Sequence, residues 1–275
     1  MVSSSLELDP ASPSIDSTSS QLKTDFVHRK SIVRTIWGDP DLVLLIFAGS
    51  AAEFALNRAV DWLFFTGEIP RDPIGRLFST VRYAQEIVFV DEEKARRTLD
   101  RINAQHSRVE NERQQTIPDW AYRDVLYMLI DYSKRAYELL YRPLSKSQQT
   151  DLFEVFLRIG EGLHIPELPK TYEKWELHRQ RHLVRDLSYS KHTSMLFEAY
   201  RRHLGRWRYE LLLQVQALLV PVHVRRLLNL KPNAIISGLV DTYGIVGSLG
   251  LQSLVHGLLI PPRYWADVHR FDRRI

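Results

Sequence analysis

The chain has no cysteine among its 275 residues, and this absence removes several classes of site. Without thiols the protein cannot hold disulfides, Fe–S clusters, thiolate-ligated haem or a cysteine-based zinc site. A cysteine nucleophile is excluded as well. Because the composition fits a reducing compartment, we expect a cytoplasmic protein.

An excess of charge of one sign is also missing. The chain has 37 basic and 33 acidic residues, for a formal net charge of +4. Basic residues mostly alternate with acids, as in residues 92–97, which is typical of a solvated helix surface. We therefore predict no nucleic-acid partner.

No long apolar run is free of charges. The longest one begins at Asp41, but Glu53, Arg58 and Asp61 interrupt it. A membrane-spanning helix needs roughly 20 apolar residues with few charges, so this run predicts a buried core helix. A peripheral contact with a membrane surface remains open.

The N-terminal residues lack the apolar core of a secretory signal. They are rich in Ser, Pro and Asp, which predicts a disordered tail over residues 1–24. Glycine-based motifs are missing too: there is no Gly-x-Gly-x-x-Gly, no Walker loop and no Gly-x-Ser-x-Gly. Nucleotide cofactors and hydrolase chemistry therefore have no support in the sequence.

Apolar residues recur at helical spacing almost throughout the chain. This pattern predicts an all-α single domain over residues 25–275, with about 8–10 helices. The expected helices cover residues 40–65, 74–89, a segment from 92, 119–141, 146–162, a segment from 172, 193–219, 221–230 and a last apolar segment within 233–259.

A histidine interrupts the apolar stripe of the helix that follows Asp91. The inward positions are spaced by four and three residues, which places all of them on one face: Ala95, Leu99, Ile102, His106 and Val109. An inward histidine is either a hydrogen-bonded core residue or a ligand, and periodicity does not decide between them.

The preceding helix carries a polar group on one face. Arg76 and Thr80 lie four residues apart, and Tyr83 follows one turn later. An arginine on the buried side of a helix needs an anionic partner, because an unpaired buried charge is very costly. A carboxylate elsewhere in the chain or a haem propionate would serve.

Together these segments resemble a known family. Residues 76–80 followed by the inward His106 are similar to the Arg-Leu-x-x-Thr and histidine pattern of the MpaB and latex-clearing-protein family of haem oxygenases. Further similar segments span, with these, about residues 38–230: 136–138, 142–145, 165–169 and 219–225.

The resemblance implies an all-helical protein that binds b-type haem. It makes His106 the proximal iron ligand, and it places Arg76 and Thr80, with Tyr83 beside them, in the haem pocket. Characterised members of the family use O2 to cleave carbon–carbon double bonds of isoprenoid chains. The implied function is a haem b-dependent oxygenase acting on an apolar, isoprenoid or lipid-like, small molecule.

The chain departs from the rubber-cleaving members at three positions. Ser79 replaces the lysine that can cap the iron, so we expect an open or water-occupied sixth position. Residues 124–126 replace a Trp-Val-His stretch found in many relatives. Val60 stands where those members have a catalytic glutamate, and the neighbouring Asp61 becomes our candidate for the distal acid.

A second histidine pair offers a different kind of site. His178 and His182 lie four residues apart on an expected helix, a spacing that can bind zinc or iron. Arg179 and Arg181 crowd the segment, so we favour a solvated polar helix. Paired Glu-x-x-His motifs, which a di-iron bundle would need, are not found in the chain.

Two other functions compete with the oxygenase. One is a non-enzymatic haem-binding or haem-sensing protein, which shares the cofactor but not the reaction. The other is a helical membrane-surface scaffold without a cofactor. Fold resemblance alone does not separate these functions.

Overall fold

A computed structural model describes residues 24–65, 72–233 and Ala266. Within these ranges the chain forms helices and isolated bridges but no strand, which confirms the all-α class. The helices are α1 Ile32–Gly38, α2 Pro40–Phe54, α3 Asp61–Phe65, α4 Pro73–Val88, α5 Glu92–Arg113, α6 Asp119–Leu140, α7 Lys146–Gly162, α8 Tyr172–Arg185, α9 Lys191–Leu204, α10 Arg206–Leu219 and α11 Val222–Leu227.

Two predictions lie outside the described residues. They are the disordered N-terminal tail, apart from Thr24, and the last apolar helix beyond Asn233. The division into a tail and one domain therefore stays a prediction. Among the helices that are described, none combines the length and the apolar character that crossing a membrane requires.

Helix starts follow the capping residues that the sequence contains. Asp39 accepts a hydrogen bond from the backbone N–H of Asp41 at 2.9 Å, and Pro40 occupies the first position of α2. Asp91 caps α5 in the same way. Ser145 forms both hydrogen bonds of a capping box at the start of α7. These predicted boundaries are confirmed.

The expected helix over residues 40–65 is wrong, because α2 ends at Phe54 and α3 starts only at Asp61. Asn57 interrupts it: its side-chain oxygen accepts a hydrogen bond from the backbone of Ala59 at 2.8 Å. The same segment forms an isolated bridge to Leu187. Such side-chain and long-range hydrogen bonds replace those of a continuing helix.

The single long helix expected over residues 193–219 is also wrong. Gly205 separates α9 from α10 with a φ of 77°, a conformation that side chains other than glycine rarely adopt. The carbonyl of Arg201 accepts the N–H of Gly205 at 3.0 Å and closes α9. Helical periodicity on both sides of a single glycine hides this break.

The core forms where α2 packs along α6. A Cβ atom at Gly49 would lie 2.3 Å from the ring of Tyr132, so the two helices need glycine at this contact. Trp37 is fully buried beside them and donates its indole N–H to Ser133 at 3.1 Å. Helices α4 and α5 pack against each other, and α8 covers part of α6 and α7.

The sequence predicted a solvated polar helix around His178 and His182. This prediction is wrong for the face of α8 that carries Arg179 and His182, which is buried. Arg179 on α8 is 2% exposed and His182 is 6% exposed. Arg179 donates to both oxygens of Glu53 on α2, at 2.5 and 2.6 Å, and to Asp131 on α6 at 3.0 Å. A buried arginine with two carboxylate partners satisfies the requirement that buried charges be paired.

Candidate functional site

His106 lies on the predicted apolar stripe of α5, although burial decreases along that stripe. Ala95 and Leu99 are buried, whereas Ile102, His106 and Val109 are only half-buried. The imidazole of His106 packs against the ring of Tyr122 on α6, with 5.0 Å between the ring centroids. Within the described ranges neither ring nitrogen of His106 forms a hydrogen bond.

Burial lowers the pKa of His106 below its ordinary value. The carboxylate of Glu110 opposes this effect, and the guanidinium of Arg76 adds to it. The imidazole is therefore neutral near pH 7, which is the form that ligates metals. The helices that carry Arg76 and His106, α4 and α5, pack against each other.

The buried position expected for Arg76 is wrong. Its side chain is exposed, because the buried face of α4 is formed by Ile74, Phe78 and Val81 instead. Thr80 is half-buried, and its hydroxyl donates to the carbonyl of Arg76 at 3.3 Å. Arg76 and Thr80 thus lie at the edge of α4, where a charged group is not desolvated.

Ser79 and Tyr83 complete this part of α4. The hydroxyl of Ser79 donates to the carbonyl of Arg76 at 2.7 Å. Tyr83 is half-buried and accepts a hydrogen bond from Nε2 of Gln105 at 3.0 Å. Because Gln105 directly precedes His106, this bond joins the polar face of α4 to α5 beside the candidate ligand.

Asp61 is the first residue of α3, and its side chain is 38% exposed. Nη2 of Arg113, near the end of α5, donates to its carboxylate at 2.6 Å. The same guanidinium lies 4.0 Å from the ring centroid of Trp62, a cation–π geometry. Asp61 therefore connects α3 to α5, and its neighbour Val60 is buried.

A second polar cluster, which we call the buried triad, consists of Asp124 on α6, His182 on α8 and Asp186 just after α8. One ligand atom from each lies within 4.8 Å of the others. Nδ1 of His182 contacts the carboxylate of Asp124 closely and lies 3.2 Å from that of Asp186. All three residues are buried.

The two carboxylates of the buried triad accept further hydrogen bonds from residues outside the triad. Nδ2 of Asn57 donates to Asp124 at 2.9 Å, and Arg185 donates to both oxygens of Asp186 at 2.7 and 2.8 Å. The donor set of one imidazole and two carboxylates suits a divalent metal. The arginine and asparagine side chains around the triad are equally compatible with a buried network whose charges balance one another without a metal.

The sequence contained a signal for the buried triad that apolar periodicity missed. Trp175, Arg179, His182 and Asp186 follow one another by four, three and four residues. This is the spacing of one helix face, and three of its four members are polar. A search for polar residues in phase with a buried tryptophan would have found it.

Comparison with protein families gives one match. The family described as "ER-bound oxygenase mpaB/B'/Rubber oxygenase, catalytic domain" matches residues 36–241, most of the chain. The chain belongs to this family. Comparisons with curated proteins and with solved structures gave no match.

Membership of the MpaB/rubber-oxygenase family confirms the resemblance inferred from the motifs, and it makes the chain a member of an oxygenase family. The matched range includes α4 and α5 with Arg76, Thr80 and His106, and also the buried triad. An oxygenase implies O2 and a small-molecule substrate. The family match does not choose between the two groups of candidate ligands.

Proposed function

We propose that this protein is a haem b-dependent oxygenase that acts on an apolar, isoprenoid or lipid-like substrate, with His106 as the axial iron ligand. The observation that carries the proposal is the state of His106. It is half-buried, its pKa is lowered by burial, and neither ring nitrogen has a hydrogen-bond partner in the described chain. A half-buried imidazole whose nitrogens form no hydrogen bond with the described residues is available as a metal ligand.

The neighbouring side chains fit the chemistry of haem. The edge position of Arg76 suits a guanidinium that binds a propionate, since the fork of N–H groups matches a carboxylate. Tyr122 packs on the ring of His106. When bound, haem would supply the activation of O2 that the amino acids lack.

Residues in the middle of α4 and at the start of α3 would form the distal side of the pocket. The hydroxyl of Ser79 is occupied by the carbonyl of Arg76 and is a poor iron ligand, which supports an open or water-occupied sixth position. Thr80 and Tyr83 would contribute hydroxyl groups to the pocket. Asp61 remains our choice for the distal acid, and its ion pair with Arg113 would fix the direction of its carboxylate.

The proposal is tested by the absorbance spectrum of the purified full-length protein, before and after addition of haem. We expect a Soret band that is lost in His106→Ala and kept in His178→Ala, a partly exposed histidine outside the proposed pocket. Circular dichroism of both variants verifies folding. A wild-type protein that takes up no haem, or equal haem content in both variants, contradicts the proposal.

Activity is tested separately, because a haem-sensing protein would pass the spectral test. Oxygen uptake with a polyisoprenoid such as squalene should depend on the haem-loaded protein, and cleaved carbonyl products should appear. Haem binding without oxygen uptake across apolar substrates would favour the sensing function. Absence of both haem and metal would favour the scaffold.

A metal centre at the buried triad is the second candidate, and the donor set of His182 with two aspartates favours it. Metal analysis of the purified protein separates the two. Iron in proportion to haem, unchanged in Asp124→Asn, supports the site at His106. A stoichiometric metal that is lost in Asp124→Asn while no haem is present supports the triad.

A further inference from the structure

A cleft of about 160 Å³ opens beside α8, on the outer side of the buried triad. Helix α8 contributes most of its wall, with α6 and the loop before α8 completing it. The lining residues are Arg123, Glu167, His178, Arg181, His182 and Arg185. None of the residues that we propose to bind haem lines this cleft.

Positive charge exceeds negative charge in this cleft, which has three guanidinium groups and one carboxylate. Arg123 pairs with Glu167 at 3.0 Å, and Arg185 is held by Asp186. Arg181 forms no ion pair with any residue in the described ranges. One guanidinium is therefore left to act on whatever enters the cleft.

The positive charges of the cleft affect the pKa of His178. Burial lowers its pKa, and the nearby Arg181, His182 and Arg123 lower it further, while Glu167 opposes them. Like charges that converge in a concave site create a potential that attracts anions.

Asp124 and Asp186 lie behind the cleft, where they contact His182, and Asp186 also pairs with Arg185. The lining charge without an ion pair in the described ranges is that of Arg181, and it favours an anionic ligand over a cation.

Tyr127, whose ring packs beside that of His182, carries a buried hydroxyl without a partner in the described chain. Tyr127 is 1% exposed, its ring centroid lies 5.2 Å from that of His182, and its hydroxyl has no hydrogen bond in the described chain. Burial raises the pKa of Tyr127 to about 12, with Arg123 and Glu167 also acting on it electrostatically. A buried hydroxyl without a hydrogen-bond partner calls for an explanation.

Two exposed aliphatic residues flank Arg181 on α8. Leu177 is 60% exposed and Val184 is 68% exposed. They lie four residues before and three residues after Arg181, so all three side chains share one face. A charged group between two exposed aliphatic residues matches a ligand that has an anionic head and an apolar chain.

We propose that this cleft binds the phosphate or diphosphate group of a soluble amphiphilic molecule, whose apolar chain lies along Leu177 and Val184. Arg181 would donate both arms of its guanidinium to the phosphate oxygens, a geometry that arginine provides and lysine does not. The hydroxyl of Tyr127 would donate to the same group. Binding involves no bond making or breaking and does not require haem.

Calorimetric titration of the full-length protein with inorganic pyrophosphate, geranyl diphosphate and geraniol tests the proposal. We expect geranyl diphosphate to bind more tightly than pyrophosphate, and geraniol more weakly than both. Arg181→Gln should weaken both diphosphates roughly tenfold, the loss of a charge-assisted hydrogen bond. Arg201→Gln is the matched control, because Arg201 is an exposed helical arginine on α9 paired with Glu198.

No binding of either diphosphate, or equal effects of Arg181→Gln and Arg201→Gln, overturns the proposal. Tyr127→Phe removes a hydroxyl that has no partner, so the free energy of unfolding should stay unchanged while diphosphate affinity falls several-fold. Loss of stability with unchanged affinity would remove Tyr127 from the site.

The apolar part and the source of the phosphate have their own tests. Leu177→Ser combined with Val184→Ser should abolish the advantage of geranyl diphosphate over pyrophosphate. Equal affinities of the two diphosphates in the wild type contradict an amphiphilic ligand. If vesicles containing phosphatidic acid bind the protein through Arg181 and soluble geranyl diphosphate does not, the ligand is a membrane headgroup and our proposal is wrong in this form.

Discussion

Two polar regions of this protein differ in how their charges are compensated. In the centre, Arg179 is buried with Glu53 and Asp131, and every charge has a partner at hydrogen-bond distance. At the edge formed by α4 and α5, Arg76 is exposed and His106 is half-buried without a hydrogen bond in the described chain. The first region is complete without a ligand, whereas the imidazole of His106 in the second region is available to bind one.

This difference indicates separate roles. A buried ionic network has already offset the cost of desolvation, and removing one member leaves the others uncompensated. An imidazole with both nitrogens free of hydrogen bonds loses little when it is replaced, but it can bind an iron ion. We therefore expect substitutions in the centre to affect stability, and substitutions at the edge to affect cofactor binding and activity.

The largest effect on stability should come from Arg179→Gln. It leaves the carboxylate of Glu53 buried without a cation, while Asp131 keeps its ion pair with Arg135 at 2.9 Å. We expect a loss of about 3–5 kcal/mol in the free energy of unfolding. Urea denaturation measures it.

Arg201→Gln provides the control for that measurement, because its ion pair with Glu198 is exposed and should contribute at most about 1 kcal/mol. Similar losses for both arginines would mean that the central network does not differ from a surface pair, and the comparison would fail.

Apolar periodicity explains which of these regions the sequence predicted. The stripe through Ala95 and Leu99 placed His106 correctly on the inner side of α5. The same reasoning misplaced Arg179, because charged residues count as solvent-facing in such a pattern. Its partners Asp131 and Glu53 lie 48 and 126 residues away in the chain, and only the packing of three helices brings them together.

Substitutions of two histidines should separate an effect on stability from an effect on haem binding. His182→Gln removes the imidazole between Asp124 and Asp186 and should cost roughly 1.5–3 kcal/mol of stability, as expected for hydrogen bonds to charged groups. His106→Gln should change stability less and abolish haem binding. Denaturation and Soret absorbance are measured on both variants.

Two patterns would contradict this expectation. If His182→Gln loses haem while remaining stable, the ligand lies in the buried triad. If His106→Gln is the more destabilising change, the edge histidine is a structural core residue, and the proposed function loses its main support.

The position of the site was harder to predict than its residue types. The sequence placed Arg76 and Thr80 on one helix and His106 on the next, and the guanidinium of Arg76 contributes to the lowered pKa of His106. It did not show that Arg76 is exposed, since helical spacing defines a face but not what covers that face. The pairing of Asp61 with Arg113, 52 residues away, was likewise invisible to local patterns.

A smaller effect is expected for Asp61→Asn. The ion pair with Arg113 is partly solvated, so its removal should lower stability by less than about 1 kcal/mol. If Asp61 is the distal acid, the substitution lowers turnover while haem content and the Soret maximum stay unchanged. Glu198→Gln, which breaks an exposed pair on α9, is the control for stability and should leave turnover intact. Unchanged turnover in Asp61→Asn would exclude Asp61 from the reaction.

The smallest effect concerns pH in the cofactor-free protein. Because burial lowers the pKa of His106 in the folded state, the unfolded chain binds the proton more readily between that pKa and 6.5. The contribution of His106 to stability is therefore highest above pH 6.5 and falls as the pH decreases from 6.5 through the folded pKa.

His106→Gln removes this contribution, so the difference in unfolding free energy between wild type and variant should decrease on acidification. His178 has a lowered pKa as well and stays in both proteins, so its contribution cancels. A pH-independent difference, measured by urea denaturation between pH 7.5 and 5.5, would show that His106 does not occupy the desolvated position from which the haem proposal starts.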